Sequence, residues 1–150
     1  MTDQNLVPPL NLSISDPTQW TVLIVDDEPD NREIAQTLLS FSGVKVHTAV
    51  HGADGLKLLE DISATFILLD LSMPIMDGWE MFKAVRANPK TQNVPVIALT
   101  AHAMAGDRER VFEAGFDGYI AKPFRIGNFM PELIGCLRKV LERGNMQAVK

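Results

Sequence analysis

The run TVLIVDDEPD at residues 21–30 decides the fold. Thr21 to Val25 is apolar and largely β-branched, without polar alternation, which is the pattern of a short strand buried on both faces. It stops at two acids, Asp26 and Asp27. Pro29 follows where a helix begins, a position at which its missing N–H goes unused. Ile34, Leu38 and Phe41 then recur on one predicted helical stripe, and Gly43 suits the stop. Strand, acidic turn and helix in this order form the opening unit of an α/β sheet.

The same unit recurs along the chain. Val44 to Ala49 is a second strand, and Gly52 to about Asp61 carries Ala53, Leu56, Leu59 and Ile62 at helical spacing. FILLD (66–70) is a third buried strand that again ends in an acid. Asp77 is placed to N-cap a helix bearing Phe82 and Val85, which stops before Asn88-Pro89. PVIAL (95–99) is the fourth strand, running into Thr100. A weak helix over 104–114 has only Met104 and Val111 as its apolar stripe. GYIA (118–121) is the fifth strand, followed by Lys122-Pro123, and a last helix carries Phe129, Leu133, Leu137 and Val140. Five buried strands alternating with five helices predict a doubly wound parallel α/β sheet. Such sheets work at the carboxyl ends of their strands. Pro131 fits the last helix only if that helix starts near Asn128 or is kinked, because a start near Ile126 puts the proline beyond the first turn.

Composition narrows the function. The chain has 150 residues, 46% apolar, with 14 basic against 19 acidic side chains and a formal charge of −5. That suits one domain, read here as residues 20–143, with an N-terminal arm over 1–19 and a tail over 144–150. Leu6, Val7, Leu10, Leu12 and Ile14 make the arm apolar enough to dock, but its prolines and lack of period read as a loose segment. A mildly acidic chain without a basic run is poorly built to hold nucleic acid by its phosphates. The lone Cys136 can make neither an internal disulfide nor a cysteine metal cluster, and its apolar neighbours read as packing for a buried thiol. No secretory head or membrane-length apolar run is present, so a cytoplasmic protein is expected.

The strand ends then carry the chemistry. DDEPD (26–30) has acids and a proline where a phosphate-binding loop needs glycines and free amides, and neither glycine-rich nucleotide motif occurs in the chain. Asp26, Asp27 and Asp70 close neighbouring strands, so three carboxylates converge; against Lys122 they leave two negative charges uncompensated. One divalent cation matches that remainder, and oxygen-only ligation matches magnesium. With Thr100 as a hydroxyl donor and Lys122 as an ammonium, such a pocket can polarise a phosphoryl group for attack by Asp70. Any one of these residues alone would be read as a helix cap or a solvated charge. Asp70 differs because it ends a buried apolar run, where an uncompensated acid is costly.

Taken in order, VDDEPDNR (25–32), FILLDLSMPIMDG (66–78), ALTAHAMAGDRE (98–109) and AGFDGYIAKPF (114–124) resemble the receiver domain of two-component response regulators, here without an attached output domain. The resemblance runs from about Thr21 to Arg143. It implies a flavodoxin-like strand order 2-1-3-4-5, with Asp70 as phosphoacceptor. It further implies Asp27 as a direct magnesium ligand, Asp26 as its partner through water, and the Ser72 main-chain carbonyl completing the protein's share. Thr100 and Lys122 would each bind a phosphoryl oxygen, Pro123 would stand at the family's cis position, and Tyr119 at its rotating aromatic. The implied donor is a phosphohistidine on a histidine kinase or phosphotransfer protein. The implied output is a change in the face made by the fourth helix, fifth strand and fifth helix, read by an effector protein. LTAHAMAGDRE is in the style of hybrid kinases and phosphorelays, which favours a relay partner. Slow self-dephosphorylation rather than enzymatic turnover is expected, and homodimerisation through the fourth and fifth helices is compatible with the pattern. His102 and Ser72 are expected at the pocket mouth, His47 and His51 at the surface, and Trp79 and Phe82 partly packed.

Two other classes share some of these features. An aspartate-nucleophile phosphatase or dehalogenase also uses a strand-end Asp and magnesium, but generally carries a second acid two residues on, where this chain has Ser72. A non-phosphorylated interaction module on the same fold usually lacks one of the site residues, and here all are present.

Overall fold

The computed structural model describes the backbone of residues 14–73, 76–101 and 107–149. Leu6, Val7, Leu10, Leu12, Pro74, His102 and Met104 lie outside the described residues. The strands are β1 (Thr21–Val25), β2 (Lys45–Ala49), β3 (Phe66–Asp70), β4 (Val96–Thr100) and β5 (Gly118–Ala121). The helices are α1 (Pro29–Phe41), α2 (Gly52–Leu59), α3 (Gly78–Ala87), α4 (Asp107–Ala114) and α5 (Ile126–Val149), and a short 3-10 turn at Pro17–Gln19 leads into β1. The five strands form one parallel sheet in the order β2-β1-β3-β4-β5.

Period-two geometry divides the central strands between two cores. Val22, Ile24, Phe66, Leu68, Ile97, Leu99 and Ile120 face Ala35 and Leu39 of α1 and Phe129, Leu133 and Leu137 of α5. Leu23, Val25, Ile67, Leu69, Val96 and Ala98 face Leu59 of α2, Met81, Phe82 and Val85 of α3, and Val111 of α4. This two-sided burial explains why β3 and β4 read as unbroken apolar runs. Trp20, buried just before β1, meets Phe66 edge-on with ring centroids 5.4 Å apart. Phe116 stacks on Phe82 at 4.0 Å and takes Trp79 edge-on at 5.5 Å.

The helix termini follow their local chemistry. Pro29 opens α1, and Gly43, with φ 88°, leads out of it. Asp77 caps α3 in a reciprocal box with Glu80. His51 caps α2 through Nδ1, which accepts from the Asp54 N–H.

Two expectations need revision. Phe41 is 93% exposed, so the buried stripe of α1 runs through Ala35 and Leu39 with Ile34 and Leu38 at its margin. Phe41 stands two residues past Leu39, which turns it to the far side of the helix. The last helix begins at Ile126 rather than Asn128, and Pro131 lies inside it. The Asn128 and Phe129 N–H groups both bond the Arg125 carbonyl, which sets that early start. The carbonyl that Pro131 leaves without its usual helical donor belongs to Gly127. Beyond Arg143 the backbone of α5 stays helical to Val149.

The β3–α3 connection folds back until α3 almost touches the end of β3. A Cβ on Gly78 would lie 2.2 Å from the Asp70 carbonyl oxygen and 2.7 Å from Leu71 Cα, both backbone atoms. Gly78→Ala is therefore expected to destabilise the fold by roughly 1–3 kcal/mol. A urea unfolding series reads this as a lowered midpoint at unchanged slope, and an unchanged midpoint would refute the contact.

Candidate functional site

Register sets the site. Val25 lies opposite Ala49 and Leu69, Asp70 opposite Leu99, and Thr100 opposite Ala121. The residues that end or follow these pairs, Asp26, Asp70, Thr100 and Lys122, therefore emerge at one sheet edge. Lys122 is drawn to it by its own N–H, which donates to the Thr100 carbonyl at 2.8 Å, and the Lys122-Pro123 bond is cis.

Asp26, Asp27 and Asp70 each offer a carboxylate oxygen, and these oxygens lie within 4.8 Å of one another. Asp26 and Asp70 are buried, with 0% and 2% of their surface exposed. Backbone amides fix both: the Glu28 N–H donates to Asp26 Oδ1 at 2.9 Å and the Ser72 N–H to Asp70 Oδ1 at 3.1 Å. The Lys122 ammonium reaches Asp26 Oδ2 at 3.2 Å, Asp70 Oδ2 at 3.3 Å and Glu28 Oε1 at 3.0 Å. Burial first, and the Asp26 charge second, push the Asp70 carboxyl up to about 7. Burial works against the Lys122 ammonium, but Glu28, Asp26 and Asp70 together hold its proton more tightly than usual. The Lys122 hydrogen bond holds the Glu28 carboxyl below its ordinary range.

The residues expected to form the site thus come together. Thr100 is buried at the end of β4. It follows Ala98 on the same side of the strand, and Ala98 is the register partner of Tyr119. Tyr119 is half-buried, edge-on to Phe112 at 6.2 Å and beneath the Arg108 guanidinium at 5.6 Å. Ser72 is exposed at the mouth. Cys136 is half-buried, its Sγ 3.9 Å from the Tyr119 carbonyl, and burial pushes its thiol up.

Two residues escaped the sequence reading. Glu28 takes a share of the lysine, and Arg32 donates from Nη1 to the Asp26 carbonyl at 2.9 Å, pinning the β1 end. Arg32 had a usable signal, a cation one helical turn beyond the acids. Glu28 was hidden among four acids in the DDEPD run.

The donor set fits a hard divalent cation: clustered carboxylates, two of them buried, carry more negative charge than one ammonium balances. The model of the response regulator receiver domain matches residues 22–133.

The chain belongs to this family.

The receiver domain of a Pseudomonas aeruginosa sensor histidine kinase, solved with a magnesium ion coordinated in its active-site cleft, is 31% identical. It covers 81% of this chain and 97% of its own, at a TM-score of 0.70. The chemotaxis response regulator CheY4 of Vibrio cholerae is 29% identical, covering 81% and 98%, also at 0.70. The Escherichia coli sensor histidine kinase RcsC is 34% identical over 119 residues, 79% of this chain and 12% of RcsC. Response regulator Rre1 of Synechocystis is 35% identical over 105 residues, 69% of this chain and 46% of Rre1. The chain thus spans less than half of either of these two relatives. Among the described residues, no helix of this receiver domain is long and apolar enough to cross a membrane.

The upward shift of Asp70 has a thermodynamic consequence in metal-free protein. Its folded carboxyl holds a proton up to about pH 7, whereas the unfolded one releases it near 3.8. Between these values the native state binds more protons at this site, so the contribution of Asp70 to stability is fully present below about pH 4 and is lost as pH rises through 7. That contribution is on the order of 4 kcal/mol. Melting curves from pH 4 to 8 should show that decline reduced in Asp70→Asn, and equal slopes in both proteins would contradict the burial argument.

Proposed function

We propose that this receiver domain accepts a phosphoryl group from a phosphohistidine onto Asp70 and passes the change to a partner protein. The observation that carries this reading is the position of the Asp70 carboxylate, buried at a sheet edge between a cluster of acids and the Lys122 ammonium. An Oδ of Asp70 attacks phosphorus as the bond to the donor imidazole nitrogen breaks. The electron pair of that bond returns to the nitrogen, which leaves as neutral imidazole from a protonated ring. The transition state is loose, so the site contributes positioning and charge rather than covalent assistance. Lys122 donates to one phosphoryl oxygen and the Thr100 hydroxyl to another. The donor is a histidine kinase or a histidine phosphotransfer protein, and the setting is the cytoplasm.

Asp26, Asp27 and Asp70, with the Ser72 main-chain carbonyl, would hold magnesium. When bound, it offsets the repulsion among the carboxylates, keeps Asp70 ionised at neutral pH and neutralises charge on the phosphoryl oxygens. Thr100 and Tyr119 form the switch. Thr100 moves toward the new phosphoryl group, and Tyr119, on the same side of neighbouring β5, turns into the space it leaves. The surface of α4, β5 and α5 changes with it. The phosphorylated form then decays slowly by hydrolysis, without turnover of a separate substrate.

Incubation with phosphoramidate and Mg²⁺ should place one phosphoryl group per chain on wild type and none on Asp70→Ala, read by intact mass. Chelation should abolish the gain. An unlabelled wild type, or a labelled Asp70→Ala, defeats the reading; repeated hydrolysis of phosphate esters would favour a phosphatase instead.

A further inference from the structure

The Lys122 ammonium donates hydrogen bonds to Asp26 Oδ2 at 3.2 Å and to Glu28 Oε1 at 3.0 Å, which spends two of its three N–H donors, and it lies 3.3 Å from Asp70 Oδ2. A phosphoryl oxygen on Asp70 therefore shares Lys122 with two other carboxylates unless one of them lets go. Asp26 cannot do so cheaply, because its carboxylate is fully buried and fixed by the Glu28 N–H. Asp70 carries the incoming group itself. Glu28 is the remaining partner; its side chain is 58% exposed, so water can take the place of the lysine at little cost.

The placement of Glu28 is also unusual for its own helix. It stands at the N-cap of α1, yet its side chain makes no capping hydrogen bond. Its Oε1 accepts instead from Lys122 Nζ and from the Asn31 side-chain amide, one turn along α1. Asn31 thereby holds the carboxylate over the lysine.

We propose that Glu28 is an internal competitor for the Lys122 ammonium: its carboxylate takes the donor that a phosphoryl oxygen on Asp70 needs, and so sets how readily the site accepts and keeps that group. The inference rests on the reading of Asp70 as phosphoacceptor. Glu28 is a positioning residue that acts through Lys122. In the unphosphorylated protein it anchors the lysine at the outer rim, and on phosphorylation it swings into solvent. When it returns, it competes with the phosphoryl group and favours its loss.

The test uses the full chain with saturating Mg²⁺ and phosphoramidate, following the rate of phosphorylation and the lifetime of the product. Glu28→Gln keeps the shape and removes the charge. Asp30→Asn removes the same charge from the first turn of α1, where Asp30 makes no ion pair with Lys122, and so reports the plain effect of a less acidic mouth. Glu28→Gln should accept the phosphoryl group about two- to five-fold faster and hold it longer by a similar factor, the span expected of an exposed ion pair. Asp30→Asn should stay close to wild type. No gain in Glu28→Gln, or an equal gain in Asp30→Asn, overturns the proposal.

A second measurement needs no phosphoryl transfer. In metal-free protein, brief acetylation read by peptide mass spectrometry should modify Lys122 faster in Glu28→Ala than in wild type, with Lys90, bonded to the Glu60 carbonyl, as internal reference. Should the alanine variant fail to fold, the same labelling is read on Glu28→Gln. Unchanged reactivity of Lys122 counts against the contact. A wild type that takes no phosphoryl group defeats the reading of Asp70, whereas a labelled wild type matched by Glu28→Gln defeats only the role of Glu28.

Discussion

Electrostatic frustration at one sheet edge is the constraint on which the rest depends. Asp26 and Asp70 are buried side by side, with Asp27 in reach, and the ammonium of Lys122 lies 3.2 Å from Asp26 Oδ2 and 3.3 Å from Asp70 Oδ2. Like charges so placed oppose folding unless cations or protons intervene. The fold tolerates them because two cores, one on each face of the sheet, supply stability that does not depend on the site. The acids are held by rigid supports: backbone N–H groups from Glu28 and Ser72, and the Arg32 guanidinium on the carbonyl of Asp26. Their repulsion cannot relax by a simple rotation of side chains. A cation placed among them would relieve it.

Much of this was legible in the sequence, and the reason is physical. Strands buried on both faces must be apolar throughout, so TVLIV and FILLD announced themselves, and parallel strands must end at a common edge, so the polar residues that followed them had to meet. The legibility failed where a position is fixed by rotation about a helix rather than by alternation along a strand. Phe41 fits a stripe by spacing with Leu38, yet the stripe that packs is centred on Ala35 and Leu39, and a small residue such as Ala35 gives little hydropathy signal. Pro131 misled for a different reason: a proline inside a helix is read as a boundary or a kink, but the Arg125 carbonyl takes the Asn128 and Phe129 N–H groups and starts the helix ahead of it. Glu28 was unreadable because its role needs a partner 94 residues away.

The two faces of the sheet also divide the chemistry. Asp26 and Asp70 continue the rows of Val22 and Ile24 and of Phe66 and Leu68, which pack on α1 and α5. Thr100 continues the row of Val96 and Ala98, which together with Tyr119 belongs to the opposite core. Asp70 and Thr100 thus share one edge while the packing neighbours of their rows lie on opposite faces of the sheet. That is a physical route from the site to α4 and β5: one hydroxyl at the shared edge, with its backbone in a ladder bonded to both β3 and β5.

The far end of the same strands is pinned. Asp117, just before β5, accepts from the Arg86 guanidinium of α3 at 3.0 Å, the Val96 N–H at the start of β4 at 2.9 Å and the Arg143 guanidinium of α5 at 2.9 Å. Arg86 also donates to the Val94 carbonyl at 2.7 Å and lies 4.8 Å from the centre of the Phe82 ring. Helices on both faces are thus tied to the start of β4 and β5 through one carboxylate whose partners are all satisfied. At the site end the corresponding ties are carboxylates sharing a single ammonium, with competing claims on it. A change of charge there meets contacts that can be exchanged, while the base meets contacts that cannot. Under the proposed phosphorylation of Asp70, rearrangement would fall on the loops and helix ends around that residue and leave the base of the sheet in place.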